Sequence, residues 1–173
     1  MNLIKVIVFS GLCWCSLGLN AQLLPNNTQL STQSVERWMQ SSRAMAEVIQ
    51  ALDGMTSSAE ALAVFDALSA SEQDAKISVY LQQRNLLETA QAVTQQYGWK
   101  SVGEYMRLGS KLGNAIAAYF LLDDLDNLTE DQAKALREKA DPAVLAVSKA
   151  DVAFVKANEK PLQQYIKAYA AGR

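Results

Sequence analysis

The amino-acid sequence predicts an all-α protein, a single-domain bundle of about six to seven amphipathic helices. Three observations support this fold class. Apolar residues recur at spacings of three and four through most of the chain, which is the period of a helix buried on one face. Short capping patterns precede these segments. No alternation of apolar and polar residues is long enough for a strand. We place the helical domain in residues 34–173.

The first 21 residues are typical of a cleaved signal peptide. Lys5 supplies the positive start, and the apolar stretch from Val6 to Leu19 is shorter than the about 20 residues that a membrane-spanning helix needs. The small residue Ala21 follows, which suits a signal peptidase. We therefore expect a periplasmic or secreted protein with no stable membrane anchor after cleavage. Residues 22–33, which lack periodicity, are expected to form a flexible leader.

The first two helices have start and stop signals. An apolar stripe from Val35 to Leu52 predicts a helix from Ser34, and Gly54 is expected to end it in the left-handed conformation. Ser57, three residues before Glu60, forms a capping-box pattern for a short second helix.

The middle of the chain predicts one long helix and one central helix. Ser71 and Asp74 are expected to start the long helix, and Gly98 to end it. The central helix runs from about residue 101 to 122 and is the most apolar segment after the signal peptide. Its last turns, from Ala115 to Leu122, are apolar all round, which predicts that several sides are covered.

Three further helices complete the prediction. Thr129 and Gln132 form a capping box for the fifth helix, which ends near Ala140. Asp141 followed by Pro142 predicts the start of a sixth, continuing to about residue 157. A seventh is expected after Pro161.

The composition excludes many function classes. The 173 residues include no histidine, so there is no imidazole base, no histidine-dependent nucleophile and no imidazole metal ligand. Both cysteines precede the expected cleavage site, so the mature chain would carry no disulfide and no thiolate metal site. The net charge of −2 gives no reason to expect a nucleic acid partner. We expect no cofactor, no metal site and no catalytic residue.

A strip of small residues lies on the central helix. Gly109, Gly113 and Ala117 recur every four residues, so another helix could approach closely there. The strip predicts internal packing, with a homo-oligomer interface as the alternative. Under internal packing, Gly113→Leu would cost about 1–3 kcal/mol by overpacking.

Aromatic residues form a second candidate site. Trp38, Trp99 and Tyr105 are the leading candidates for contact with an apolar small ligand or a sugar, because aromatic faces bind both. Tyr119, Tyr165 and Tyr169 extend the set. Their helical spacing argues instead for core positions, with the ligand pocket as the alternative.

Two groups of acidic residues could carry chemistry. The first, which could gather Ca²⁺, lies where a helix start also explains it: Asp123, Asp124, Asp126, Glu130 and Asp131. The second could supply the carboxylates of a histidine-free glycoside hydrolase: Glu36, Glu47, Glu60, Glu88 and Glu104.

Two passages resemble known families. Leu128 to Gln132 has the Leu-Thr-x-x-Gln form of the CpxP and Spy group, which consists of exported all-helical stress chaperones of the bacterial periplasm. The passage Tyr97-Gly98-Trp99-Lys100-Ser101, with Tyr105 and the segment from Gly109 to Tyr119, resembles small secreted helical proteins of proteobacteria, including a Pseudomonas family of unknown function. The first resemblance implies a holdase, whereas the second implies export and an all-helical fold.

The sequence therefore predicts an exported, non-catalytic binding or interaction module whose partner is a protein or an apolar ligand. A carboxylate-based hydrolase of envelope polysaccharide and a chaperone-like holdase are the alternatives.

Overall fold

The computed structural model of the protein describes residues 30–172. The predicted signal peptide and residues 22–29 of the predicted leader lie outside them. Nine α-helices and no strand form within the described residues, which confirms the all-α fold class. The helices are α1 (Thr32–Leu52), α2 (Ala59–Asp66), α3 (Ala70–Gln83), α4 (Leu87–Gln96), α5 (Val102–Asp126), α6 (Glu130–Lys139), α7 (Pro142–Leu145), α8 (Lys149–Ala157) and α9 (Glu159–Ala171).

The chain divides into two compact units, and the division falls within α5. The N-terminal unit is Gln22–Gly109 and the C-terminal unit is Ser110–Arg173. In the N-terminal unit, α1 packs against both α3 and α4. Its core is aliphatic along α1 and α3, with fully buried members Met45, Val48, Leu52 and Leu81.

The C-terminal unit buries Leu112, Ile116 and Leu162 almost completely, and it also contains a cluster of smaller side chains. Ala117 and Ala118 of α5 form a buried cluster with Val144 of α7. Half-buried residues pack against this cluster: Leu121, Val147, Val152 and Tyr169. Val155 and Leu162 lie in two neighbouring helices, α8 and α9, and are fully buried.

The first helix begins earlier and ends differently than predicted. Its N-cap is Ser31, and Ser34 completes a capping box as the third residue of the helix. Gly54 lies inside a 3-10 turn, Asp53–Thr56, and does not adopt the left-handed conformation. The hydroxyl of Tyr80 lies where the Cβ of any larger residue at position 54 would be. Glycine is therefore required here by close packing against Tyr80 and not by a left-handed helix cap.

Two predicted helix starts are displaced by one or two residues. Ser58, not Ser57, caps α2, because its hydroxyl accepts the N–H of Ala61. Ser69 caps α3 with Glu72 as the reciprocal partner in the box, in place of the predicted Ser71.

The long helix that was predicted to end at Gly98 is two helices. Asn85 takes a left-handed φ of 56°, and the N–H of Leu86 bonds the carbonyl of Leu81, which ends α3. Asparagine is one of the few residues other than glycine that adopt this conformation readily. Gly98 does end α4 as predicted, with a φ of 70°.

The predicted sixth helix is also divided. Asp141 caps α7 through the N–H of Ala143 and Pro142 lies in its first turn, as predicted. That helix ends at Leu145. A new helix, α8, begins after Ser148, whose hydroxyl accepts the N–H of Asp151. The capping box of Thr129 and Gln132 is confirmed.

Candidate functional site

The three leading aromatic candidates meet inside the N-terminal unit. The rings of Trp38 and Tyr105 are stacked with centroids 5.7 Å apart, and Trp99 meets Tyr105 edge-on at 5.5 Å. The indole N–H of Trp99 donates to the hydroxyl of Ser41 at 3.0 Å. We call these four residues the aromatic cluster. Edge-on and offset contacts of this kind stabilise beyond the area they bury.

Arg37 covers one side of the aromatic cluster. Its guanidinium lies 3.9 Å from the ring centroid of Trp99, and it donates to the carbonyl of Gly98 at 2.8 Å. Trp99 and Tyr105 are only 4% and 6% exposed. These two rings therefore leave little surface for a ligand, whereas Trp38 is half-buried. Packing accounts for most of the aromatic cluster. The ligand site predicted at these residues stays a prediction.

Local backbone structure explains how Trp99 reaches this position. Gly98 turns the chain in the left-handed conformation, and the N–H of Trp99 bonds the carbonyl of Thr94. Ser101 then accepts the N–H of Glu104, which starts α5. The helix stop and the following helix start are separated by a few residues only, so Trp99 and Tyr105 point into one core.

An ion pair on the same unit was missed by the sequence reasoning, which assigned Asp74 to a helix cap. The carboxylate of Asp74 accepts from Arg107 at 2.8 and 3.3 Å and from the hydroxyl of Ser101 at 2.8 Å. A side chain at Gly103 would collide with that carboxylate. The arrangement holds the start of α5 against α3. No local sequence signal marks this ion pair, because Asp74 and Arg107 are 33 residues apart.

The small-residue strip is not uniform. A Cβ added at Gly109 would lie 2.9 Å from the indole nitrogen of Trp38, so the glycine is required by internal packing. Ala117 is buried in the core of the C-terminal unit. A Cβ added at Gly113, however, would meet no heavy atom of residues 30–172 within 4 Å. The tight packing expected at Gly113 is therefore wrong.

Hydrogen bonds within helix starts occupy two of the candidate hydrolase carboxylates. Glu104 accepts the N–H of Lys100 at 2.6 Å. Hydrogen bonds with its own backbone and with Ser58 lower the pKa of Glu60. A general acid of a glycosidase needs the opposite shift, towards a raised pKa. The arrangement thus gives the hydrolase alternative little support.

The acidic candidates for Ca²⁺ are divided between two helices. Glu130 and Asp131 occupy the first turn of α6, as the helix-start interpretation predicts. Asp123, Asp124 and Asp126 instead lie in the last turns of α5, which continues four residues beyond the predicted end. No group of three carboxylates in the described part of the chain is arranged to hold a metal ion.

The tyrosines of the C-terminal unit form a separate group. Phe120 stacks on Tyr169 with centroids 5.4 Å apart and meets Tyr119 edge-on. The hydroxyl of Tyr119 donates to Glu159 at 2.8 Å, and this bond raises the pKa of Tyr119. Tyr165 is half-buried on α9. These contacts join α5 to α9 rather than enclose a ligand.

Large aliphatic side chains are exposed on the C-terminal unit. Leu122, Leu128 and Leu145 are exposed to 47%, 37% and 47%. Leu122 belongs to the segment for which burial on several sides was predicted, and that expectation is wrong at its end. Among residues 30–109 of the N-terminal unit, the large exposed apolar residues are two valines, Val64 and Val79. Exposed leucines that do not contribute to the core are candidates for contact with another molecule.

None of the helices in residues 30–172 is both long and apolar enough to cross a membrane. Searches of protein-family models, of curated proteins and of solved structures give no match to this chain.

Proposed function

We propose that this chain is an exported binding module, periplasmic or secreted, that docks a protein partner on the exposed leucines of its C-terminal unit and catalyses no reaction. The observation that carries the proposal is the contrast between its apolar side chains. The aromatic residues that could bind a small ligand pack mainly against one another, whereas three leucines are exposed.

The N-terminal sequence supports export. Residues 1–21 have the charge, apolar stretch and small-residue end of a signal peptide. The remaining residues contain no cysteine, so the exported protein is insensitive to the redox state of its compartment.

Site-specific photocrosslinking tests the function. The photoreactive residue p-benzoylphenylalanine replaces Leu122 or Leu145 in the full chain, and the matched control carries it at Gln83, an exposed position of α3. We expect one discrete adduct, of a mass that mass spectrometry assigns to a single protein, at the leucine positions and not at Gln83. Absence of an adduct at both leucine positions in the secreting host, or equal labelling at Gln83, would overturn the proposal.

A further inference from the structure

The end of α5 carries a row of leucines. α5 ends at Asp126, and the N–H groups of Asn127 and Leu128 bond the carbonyls of Asp124 and Leu125, three residues earlier, so the chain continues in a tight turn. Leu122, Leu125 and Leu128 follow at intervals of three residues, which places them on one side of the last helical turn and of the turn after it. We call these three residues the leucine row. Leu125 is half-buried, and Leu122 and Leu128 are exposed. The leucine row is therefore only partly covered by the core.

Carboxylates border the leucine row. By the same helical spacing, Asp123 and Asp126 lie on one side of the row, and Asp124 lies on the other. Glu130 and Asp131 follow in the first turn of α6. Neither Asp123 nor Asp126 forms an ion pair with any described residue. No basic residue occurs between Leu122 and Asp131.

The position of these carboxylates is electrostatically unfavourable for the isolated helix. The C-terminal end of a helix carries partial negative charge, which favours lysine or arginine and disfavours aspartate. The last turn of α5 contains no basic residue and ends at Asp126. By contrast, the last turn of α6 carries Arg137 and Lys139, as the helix dipole favours. A cationic partner would therefore relieve repulsion at the end of α5 as well as cover the leucines.

We infer that the leucine row binds a cationic amphipathic helix of a partner protein, with its apolar side chains on the leucines and its lysine or arginine side chains beside Asp123 and Asp126. This inference rests on the proposed function and names the chemistry of its partner. Complementary charge at the border of an apolar contact sets specificity and orientation. The same carboxylates repel anionic lipid, so the fitting occupant is a polypeptide rather than a membrane surface.

A titration with model peptides tests the inference. The probe is a synthetic amphipathic helix of leucine and lysine, and two companion peptides replace each lysine by glutamine or by glutamate. The full chain is compared with a variant carrying Asp123→Asn and Asp126→Asn. The matched control carries Glu47→Gln and Glu138→Gln, which removes the same charge from exposed positions elsewhere. Calorimetry gives each Kd at low and at high salt.

We expect the lysine peptide to bind the parent and the control equally and the Asp123→Asn, Asp126→Asn variant about fivefold more weakly. High salt should remove that difference by screening, and the glutamate peptide should bind the parent most weakly. Equal affinity of the parent and the aspartate variant, or equal affinity for the three peptides, would overturn the cationic partner.

Two further substitutions, combined in one variant, distinguish refutation of the cationic partner from failure of the proposed function. Leu122→Ser and Leu128→Ser together remove the exposed leucines of the row and keep its carboxylates. If this leucine variant binds all three peptides more weakly by the same factor, while the aspartate variant binds them as the parent does, apolar docking stands and only the cationic partner is refuted. If sedimentation shows a dimer of the chain that the aspartate variant dissociates, the occupant is a second copy, and the inference of a foreign partner is overturned.

Discussion

The two units of the chain stabilise their helices by different means. The N-terminal unit uses large aromatic rings and arginines: Arg37 covers Trp99, Arg84 lies 3.6 Å from the ring centroid of Tyr80, and Arg107 pairs with Asp74. The C-terminal unit buries aliphatic side chains, and its bonds between distant side chains include the Tyr119–Glu159 hydrogen bond and the single contact between Lys111 and Asp151. The N-terminal unit thus places its rings and cations against one another, whereas the C-terminal unit leaves three leucines exposed.

This contrast bears on function. In the N-terminal unit the side chains best suited to recognition, tryptophan and arginine, contact each other. In the C-terminal unit the side chains of Leu122, Asp123, Asp126 and Leu128, at and just after the end of α5, are exposed. Substitutions in the first unit should therefore change folding, and substitutions at the leucine row should change binding.

The largest expected effect is the loss of the aromatic cluster. Trp99→Ala removes a buried ring together with its contacts to Tyr105, Arg37 and Ser41, and should lower the free energy of unfolding by about 3–5 kcal/mol. Leu145→Ala, at an exposed position of the C-terminal unit, should change it by less than about 0.5 kcal/mol. Denaturant unfolding followed by circular dichroism and by tryptophan fluorescence measures both. A parent-like midpoint for Trp99→Ala would show that the cluster is not part of the core.

The same substitution at two glycines of α5 should have opposite signs. Gly109→Ala forces a methyl group against the indole of Trp38 and should cost about 1–3 kcal/mol. Gly113→Ala meets open space, and because alanine favours a helix it should stabilise by about 0.5–1 kcal/mol. Thermal unfolding of the two variants gives the comparison. If Gly113→Ala instead lowers the Tm without a change of oligomeric state, the tight internal packing that the sequence predicted at Gly113 would be correct after all.

The ion pairs of the two units should differ in strength. Asp74 and Arg107 make two contacts, at 2.8 and 3.3 Å, whereas Lys111 and Asp151 make one contact at 3.4 Å. Double-mutant cycles with Asp74→Asn and Arg107→Met should give a coupling of about 1–2 kcal/mol. The equivalent cycle with Asp151→Asn and Lys111→Met should give about 0.5 kcal/mol or less. Equal couplings would contradict the distinction drawn between the units.

Some features that depend on four or five neighbouring residues were predictable from the sequence, although the caps of α2 and α3 were displaced by one or two residues. The boxes and caps at Thr129 and Asp141 were correct because the donor and the acceptor lie within three residues of each other. Partners distant in sequence were not predictable: Ser41 and Trp99 are 58 residues apart, and Asp74 and Arg107 are 33 apart. Periodicity identifies an apolar face but not what covers it.

The errors have the same origin. The break at Asn85 was missed because the apolar spacing continues through it, and a left-handed asparagine leaves no periodic signal. The acidic stretch after Leu122 was assigned to a break before the next helix, because acidic residues favour the start of a helix. The structure keeps Asp123 and Asp126 helical, so the conflict between their charge and their position is the feature that only the structure reveals.

The smallest expected effect compares the capping boxes of α3 and α6. The two boxes have the same geometry, but Glu72 closes the first and Gln132 closes the second. Hydrogen bonds from the hydroxyl and the N–H of Ser69 lower the pKa of Glu72 below its ordinary value of 4.5. A carboxyl group whose pKa is lower in the folded state stabilises above its unfolded pKa, and this contribution is lost as the pH falls through the folded value.

Glu72→Gln makes the box of α3 chemically equivalent to that of α6 and removes its titration. The parent should therefore melt slightly above Glu72→Gln near neutral pH, and the difference in Tm should shrink as the pH falls below 4.5. Gln132→Glu is the reciprocal control, because it should introduce the same pH dependence into the C-terminal unit. A constant difference in Tm across the acid range would mean that the carboxylate of Glu72 has the same pKa folded and unfolded, and that its box is held by geometry alone.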